Sequence, residues 1–438
     1  MTTTSDATAP DLCDYIAASP TPHHAVDTSM RRLGKVGFTA LSERERWPAG
    51  PGNFMVARQG SLVAWRQPDA IDPNAGIRMV GAHTDSPNLR LKPHPDVAAN
   101  PLSGNWRQIA VETYGGVLWN SWLDRDLGIA GLLVVRGDGG TLDEILVGVD
   151  EPWLRIPQLA IHLDRDVNTA GLRLDPQRHL TPVWATGSGV GIVAAVAATA
   201  GVDPDRVVSS QLMLHDLTPP TVAGHDASFI ASPRIDNLLS CWAAVAGLSS
   251  ATSAATSAAT SSASLPMVCL YDHEEVGSQS ATGAASSLVN DVITRIAAAN
   301  GLDPQDMARL RASSLAVSAD GAHATHPNLA ERHDPGHGIA VNGGIVVKHN
   351  ANQRYATEAA GTAWLRTIAR HAGVPLQDFV MRNDMPCGST IGPISAAGLG
   401  ITTVDIGVAQ LAMHSARETC GSHDAERLVT LLTKVLSD

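Results

Sequence analysis

Cysteine, aromatic residues and charge are all scarce in this chain of 438 residues, and each shortage removes a class of protein. The five cysteines (Cys13, Cys241, Cys269, Cys387 and Cys420) are odd in number, far apart and never spaced as CxxC. Neither a disulfide framework nor a thiolate zinc site is indicated. Lys/Arg-rich runs are absent and the net charge is −12, which argues against a nucleic-acid partner. No apolar stretch reaches the ~18 residues needed to span a bilayer. The opening MTTTSDATAP has neither the basic start nor the apolar segment of an export signal. These absences lead us to expect a soluble, reduced, cytoplasmic protein with no membrane partner. Charged residues make up only 17% and mean hydropathy is +0.00, so the chain is not of the disordered type. What is plentiful is histidine: the 17 His equal all Phe, Tyr and Trp together, which points to metal or acid–base chemistry.

Apolar β-type runs alternate with Ala-rich helical stretches, the pattern of an α/β fold. The runs are Gly76 to Ala82, Pro266 to Tyr271, Ser314 to Ser318, Gly343 to Val347 and Ile401 to Ile406. Continuous apolar runs suit strands buried on both faces, and ligands of such sheets bind beyond the carboxyl ends of the strands. Acidic residues and histidines fall repeatedly just after these runs. The expected architecture is a three-layer catalytic domain, residues 1–88 and 228–438, with a central, mostly parallel sheet. A β-rich unit of shorter strands, residues 89–227, is inserted into it. The small-residue segment 249–264, SSATSAATSAATSSAS, reads as a flexible surface loop.

Five positions could carry the chemistry. In His83-Thr-Asp85 the imidazole can ligate a metal while Asp85 supports it. In Asp272-His-Glu274-Glu275 one glutamate can ligate while its neighbour takes a proton from water. Asp236 stands where a helix cap would, yet its two oxygens could bridge two ions. Asp320 precedes a glycine in SADGAHATHPN, and His414 lies in MHSARE. Each taken alone has a structural explanation, such as a turn residue or a buried histidine. As a set they supply the oxygen and imidazole ligands of a dinuclear zinc-like hydrolase. Walker, GxSxG and HExxH sequences are absent, and GSGVGI (Gly187 to Ile192) has its third glycine displaced from the dinucleotide pattern.

At these residues the chain resembles the aspartyl aminopeptidase family of dinuclear zinc exopeptidases. The matching stretches are HTDSP (His83 to Pro87), SPRIDN (Ser232 to Asn237), DHEEVGS (Asp272 to Ser278) and DGAHATHPN (Asp320 to Asn328). RNDMPCGSTIGP (Arg382 to Pro393) and QLAMHSARE (Gln410 to Glu418) match too, as do WNSWLDRDLGIAG (Trp119 to Gly131) and RIPQLAIHLDR (Arg155 to Arg165) of the inserted unit. The resemblance implies two zinc ions per subunit, with cobalt or manganese chemically admissible. His83 and Asp320 would hold one, Glu275 and His414 the other, and Asp236 would bridge. Asp85 would orient His83, and Glu274 would be the general base for attack of water on the peptide carbonyl. It also implies a preference for an unblocked N-terminal Asp or Glu, met by Lys348 with Tyr355 alongside. His162 would complete a neighbouring subunit's substrate site, with metal ligation as its alternative role. The inserted unit would then serve dimerisation and assembly into a homo-oligomer, a tetrahedral dodecamer being the form common in the family.

Three other functions fit part of the pattern. The ligand set suits an aminopeptidase of broader or neutral specificity, and equally a dinuclear metallo-carboxypeptidase or deacylase. A catalytically idle assembly or cargo protein would keep the fold but erode the ligands, and all of them are intact.

Overall fold

Four parallel strands form the middle of the larger sheet, in the spatial order Leu265–Tyr271, Ile77–His83, Leu315–His323, Thr402–Leu411. The computed structural model describes residues 5–97, 104–255 and 264–438, the side chains of 5–7 and 252–255 excepted. Burial on both faces explains the uninterrupted apolar runs. In Ile77–His83, Ile77 and Met79 enter one core while Val80 and Ala82 enter the other. Leu265–Tyr271 divides in the same way: Met267 and Cys269 go to one side, Val268 and Leu270 to the other. Successive strand residues point to opposite faces, so a run with no polar member needs helices above and below it.

Helices supply both layers. Helices Ser5–Ala17, Pro22–Lys35, Ile235–Ala255, Ala359–Ala372 and Ser422–Leu436 contribute Leu12, Val26, Trp242, Leu365 and Leu428 to one core. Leu288–Ala299, Pro304–Ala312 and Ile391–Leu399 contribute Val292, Leu310 and Leu399 to the other. Helix Ser422–Leu436 buries Ala425, Leu428, Leu431, Leu432 and Val435, the i, i+3, i+4 spacing of a helix with one apolar face.

The expected α/β sheet is thus present, parallel through its centre, with antiparallel strands at its flanks. Gly52–Arg58 and Ser61–Gln67 extend one side, and Glu418–Gly421, Phe229–Ser232 and Thr221–Ala223 the other. The run beginning at Gly343 forms Ile345–His349, which pairs antiparallel with Thr402–Leu411 and parallel with Leu376–Val380.

Two compact units divide the chain: Met1–Asp85 with Pro220–Met413 and Glu418–Asp438, and Ser86–Pro219 with His414–Arg417. The smaller unit therefore begins before residue 89 and ends before 227, because Thr221–Ala223 pairs within the larger sheet. It also reclaims four residues near the end of the chain, which nothing in the local sequence signals. Within it the strands are longer than expected. An antiparallel sheet runs in the order Leu142–Leu154, Leu127–Arg136, Val207–Asp216, Asn88–Asp96, Trp106–Tyr114, Val183–Thr186. Gly131, at φ +154, lies in the second of these strands; a Cβ there would come within 2.0 Å of the Gln211 carbonyl oxygen, so only glycine fits. Ile192, Val196 and Ala197 of helix Ile192–Thr199 pack into this unit's own core.

The low-complexity segment departs from expectation at its start. Helix Ile235–Ala255 runs through Ser249 to Ala255, with Ser249 Oγ donating to the Val245 carbonyl and Ala251 buried. Alanine carries the highest helix propensity, and a serine hydroxyl can bond back one turn, so a small-residue segment can prolong a buried helix. Residues 256–263 of that segment lie outside the described residues.

Leu428 is fully buried where helix Ser422–Leu436 meets the sheet-facing core. Replacing it by alanine is expected to cost about 2–5 kcal/mol, read as a lowered urea midpoint; a shift equivalent to less than ~1 kcal/mol would contradict this packing.

Candidate metal centre

The site grows out of the carboxyl ends of the central strands. Ile77–His83 ends on a fully buried histidine. Its Nδ1 donates to the Asp85 backbone carbonyl at 3.0 Å, which leaves Nε2 as the free face of the ring. Two carboxylates converge on that nitrogen: Asp236 Oδ1 at 3.2 Å and Asp320 Oδ1 at 3.4 Å. Burial alone would depress the imidazole's pKa. Asp236, Asp320 and Asp85 outweigh it and hold His83 well above the ordinary histidine value.

Each partner is held by backbone. Asp236 sits at the start of helix Ile235–Ala255 in non-helical geometry, and its N–H donates to Glu418 Oε2 at 3.0 Å. The next residue, Asn237, donates through Nδ2 to the Ala319 carbonyl at 2.8 Å, which ties the turn to the neighbouring strand. Glu418 is itself buried, and its place at the end of QLAMHSARE does not reveal that it holds this turn. Asp320 is not beyond a strand end, as expected, but inside the strand Leu315–His323. Its Oδ1 accepts from the Gly321 N–H at 2.6 Å, and a Cβ on Gly407 of the adjacent strand would come within 2.2 Å of its carbonyl. The central strands thus approach one another closely at this level.

Glu274 and Glu275 lie on a single 3-10 turn, Glu274–Val276, entered through His273 at φ 64°. The Asp85 carboxylate receives both of their backbone N–H groups, Glu274 on Oδ1 and Glu275 on Oδ2, each at 3.1 Å. The same Oδ1 lies 3.4 Å from His83 Nδ1. Asp85 therefore links the histidine to the glutamate turn, a connection the short HTD spacing does not reveal. Ligand atoms of His83, Asp236 and Glu275 all fall within 4.8 Å of one another. Glu274 is pushed up to about 9, chiefly by burial and then by the negative charges of Asp320, Glu275 and Asp85, with His83 acting against them. Cys241 donates its S–H to the His83 carbonyl at 2.9 Å, and burial pushes that thiol up to about 12.

Lys348 is the nearby cation. Only 2% exposed, its ammonium lies 3.4 Å from Asp320 Oδ2 and donates to the Gly321 carbonyl at 2.7 Å. The ring of Tyr355 stands 5.2 Å from that nitrogen and meets Phe379 edge-on at 6.5 Å. His323 also meets Phe379 edge-on, at 6.3 Å, while His349 bonds Asp378 at 2.9 Å and His326 accepts from the Asn328 N–H.

The remaining two sequence-selected histidines belong to the smaller unit. His414, at φ 69°, has its Nδ1 3.1 Å from the Gly116 carbonyl, and its own carbonyl accepts from Leu118. His162 is exposed, among the exposed Leu159, Ile161 and Leu163.

A family profile described as "Aminopeptidase I zinc metalloprotease (M18)" matches residues 15–435. The chain belongs to that family. It is 48% identical over 429 residues to a probable M18 family aminopeptidase 2 of Streptomyces coelicolor, covering 97% of this chain and 96% of that one. A solved chain from a complex of Ape4 and Nbr1 superposes with TM-score 0.94 at 35% identity, over 99% of this chain and 86% of that one. The mApe1 dodecamer of S. cerevisiae matches with TM-score 0.86 at 30% identity, over 97% and 95% of the two chains. This M18 protein is thus a metallopeptidase hydrolase, an aminopeptidase of a zinc family, and among its described residues no helix is long and apolar enough to cross a membrane.

Zinc fits the residues present. Imidazole nitrogen and carboxylate oxygen are its ordinary protein donors, and they converge here within ligand-to-ligand range. The carboxylates of Asp85, Asp236, Glu274, Glu275 and Asp320 crowd around one histidine and one lysine, a surplus of negative charge that a divalent cation neutralises. Asp85→Ala is expected to weaken zinc retention about 10- to 100-fold by releasing the glutamate turn, measured by competition with a chelating indicator. Wild-type affinity in that variant would contradict the linking role of Asp85.

Proposed function

We propose that this enzyme is a dinuclear zinc aminopeptidase that removes unblocked N-terminal Asp and Glu from peptides. The observation that carries the reading is the convergence of Asp236 and Asp320 on His83 Nε2, with Glu275 within 4.8 Å of His83 and Asp236. His83 and Asp320 would hold one ion and Glu275 the other, with Asp236 available to both. His414 is assigned to the second ion on its motif, QLAMHSARE, alone.

Bound zinc supplies Lewis acidity, polarising the scissile carbonyl and making water a better acid. Glu274 takes the proton of the attacking water. Buried beside other carboxylates, this side chain holds a proton readily, as a group must that later returns it to the leaving amine. Asp85 keeps Glu274 and Glu275 on one rigid turn, so base and ligand act from fixed positions.

Lys348 supports the acidic preference. A buried ammonium beside an aromatic ring is a ready partner for a substrate carboxylate and a poor one for an apolar side chain. His162 and the inserted unit are assigned to assembly. The exposed Leu159, Ile161 and Leu163 beside His162 suit contact with another subunit, and the related mApe1 is a dodecamer. Among the described residues the five cysteines form no disulfide, which suits the reducing cytoplasm.

Two experiments test the reading. On Asp-, Glu- and Leu-peptides the enzyme is expected to favour the acidic residues and to lose all turnover with chelator. Lys348→Met is expected to lower the Asp-to-Leu ratio of kcat/KM by about ten-fold or more; an unchanged ratio would remove Lys348 from the pocket. Glu274→Gln is expected to lower kcat by about 10²–10⁴-fold while two zinc ions per chain remain by metal analysis. Near-normal turnover in that variant would exclude Glu274 as the base.

A further inference from the structure

Asp405 is a fully buried carboxylate that none of these roles uses, set in the middle of the apolar strand Thr402–Leu411. A charge in such a place is strongly unfavourable unless hydrogen bonds or an opposite charge compensate it, so its partners indicate its purpose. Oδ1 accepts from Thr390 Oγ1 at 2.6 Å, and Oδ2 accepts from the Ala356 N–H at 2.6 Å. Its own N–H donates to Thr357 Oγ1 at 2.9 Å. The two residues that follow Tyr355 are therefore both bonded to this one strand position. Gly392 is part of the same fit, because a Cβ there would come within 2.3 Å of Asp405 Oδ2.

The sheet register brings in Lys348. Ser318 stands beside Asp405 in the register of the parallel side. On the antiparallel side Val346 pairs with Gly407 and Val347 with Ile406. One step further along that register, Lys348 stands opposite Asp405. Residues directly opposite in an antiparallel pair project to the same face, with Cβ atoms about 4.5–5.5 Å apart. Asp320, which the Lys348 ammonium approaches at 3.4 Å, lies two residues beyond Ser318 on its strand. Lys348 is thus framed by two buried carboxylates, of which only Asp320 belongs to the proposed metal ligands.

We infer that Asp405 is a positioning residue for substrate specificity: it fixes the Tyr355–Thr357 segment against the sheet and sets its carboxyl group opposite Lys348, so that ring and ammonium form one preset cradle for an acidic side chain. This rests on the reading of Lys348 and Tyr355 as the acidic pocket. Contacts to the substrate side chain are made equally in the ground state and the transition state, so misplacing the cradle raises KM and spares kcat.

The test compares wild type, Asp405→Asn and Thr390→Val on aspartyl and leucyl peptides, with zinc content and Tm measured on each. Asp405→Asn is expected to raise KM for the aspartyl peptide about ten-fold, with kcat, leucyl KM and zinc content changed less than about two-fold. Thr390→Val keeps the carboxyl group and the Ala356 bond, and is expected to stay within about two-fold of wild type. An unchanged aspartyl KM in Asp405→Asn, or an equal loss on both peptides, overturns the inference. If Asp405→Asn does not fold, Thr357→Val takes its place, with a selective rise of about three-fold expected and no rise overturning it. A wild type without acidic preference defeats the pocket reading itself, whereas an acidic wild type with an indifferent Asp405→Asn defeats the inference alone.

Discussion

Several carboxylates buried around one imidazole make the constraint on which the rest of this structure depends. Asp85, Asp236 and Asp320 all act on His83, and Glu274 and Glu275 share the same ground. Mutual repulsion among like charges at this range is tolerable only where a scaffold holds each group and cations balance the total. Much of the surrounding architecture meets that need. Backbone N–H groups of residues 236, 274, 275 and 321 are spent on carboxylates, and side-chain amides and hydroxyls secure the turns between.

The parallel sheet is suited to the task because its centre is stiff on both faces. Strands with cores above and below cannot slide without moving two hydrophobic layers, so residues at their ends keep their spacing. His83, the glutamate turn after Tyr271 and Asp320 come from three neighbouring strands, with Asp236 from the helix start beside them. The proposed metal ligands share that level of the sheet, and the proposed specificity lysine, Lys348, lies on a strand next to it.

Much of this was legible in the chain because strand burial and metal ligation both leave marks in residue type. The runs ending at His83 and Tyr271 announce two-faced strands, and acids or histidines following such runs announce a site. Legibility failed where the deciding partner is distant in sequence. Asp85 looked like a support for His83, yet its carboxylate also serves the N–H groups of residues 274 and 275, which no spacing within HTDSP encodes. Glu418 and Asp405 act on backbone groups distant in sequence, which neither QLAMHSARE nor ITTVDIG encodes, although a lone acid inside ITTVDIG is a signal of buried partnership. Asp320 reads as a turn residue because glycine follows it, but Gly321 lies inside the strand, where a Cβ would meet the side chains of Met413 and Gln410. The start of the small-residue segment reads as a loop until the core that accepts Ala251 is known.

The excursion of His414–Arg417 into the smaller unit bears on the order in which the molecule can be built. That unit's first 134 residues leave the ribosome early, but its last four emerge about 200 residues later, after most of the other unit. His414 is anchored to Gly116 across 298 residues of sequence, and Thr402–Leu411 must arrive before Leu315–His323 and Ile345–His349 can be joined through it. The sheet therefore cannot close through its centre until Thr402–Leu411 has emerged. Neither unit can complete its fold during synthesis until residues 402–417 are available to it.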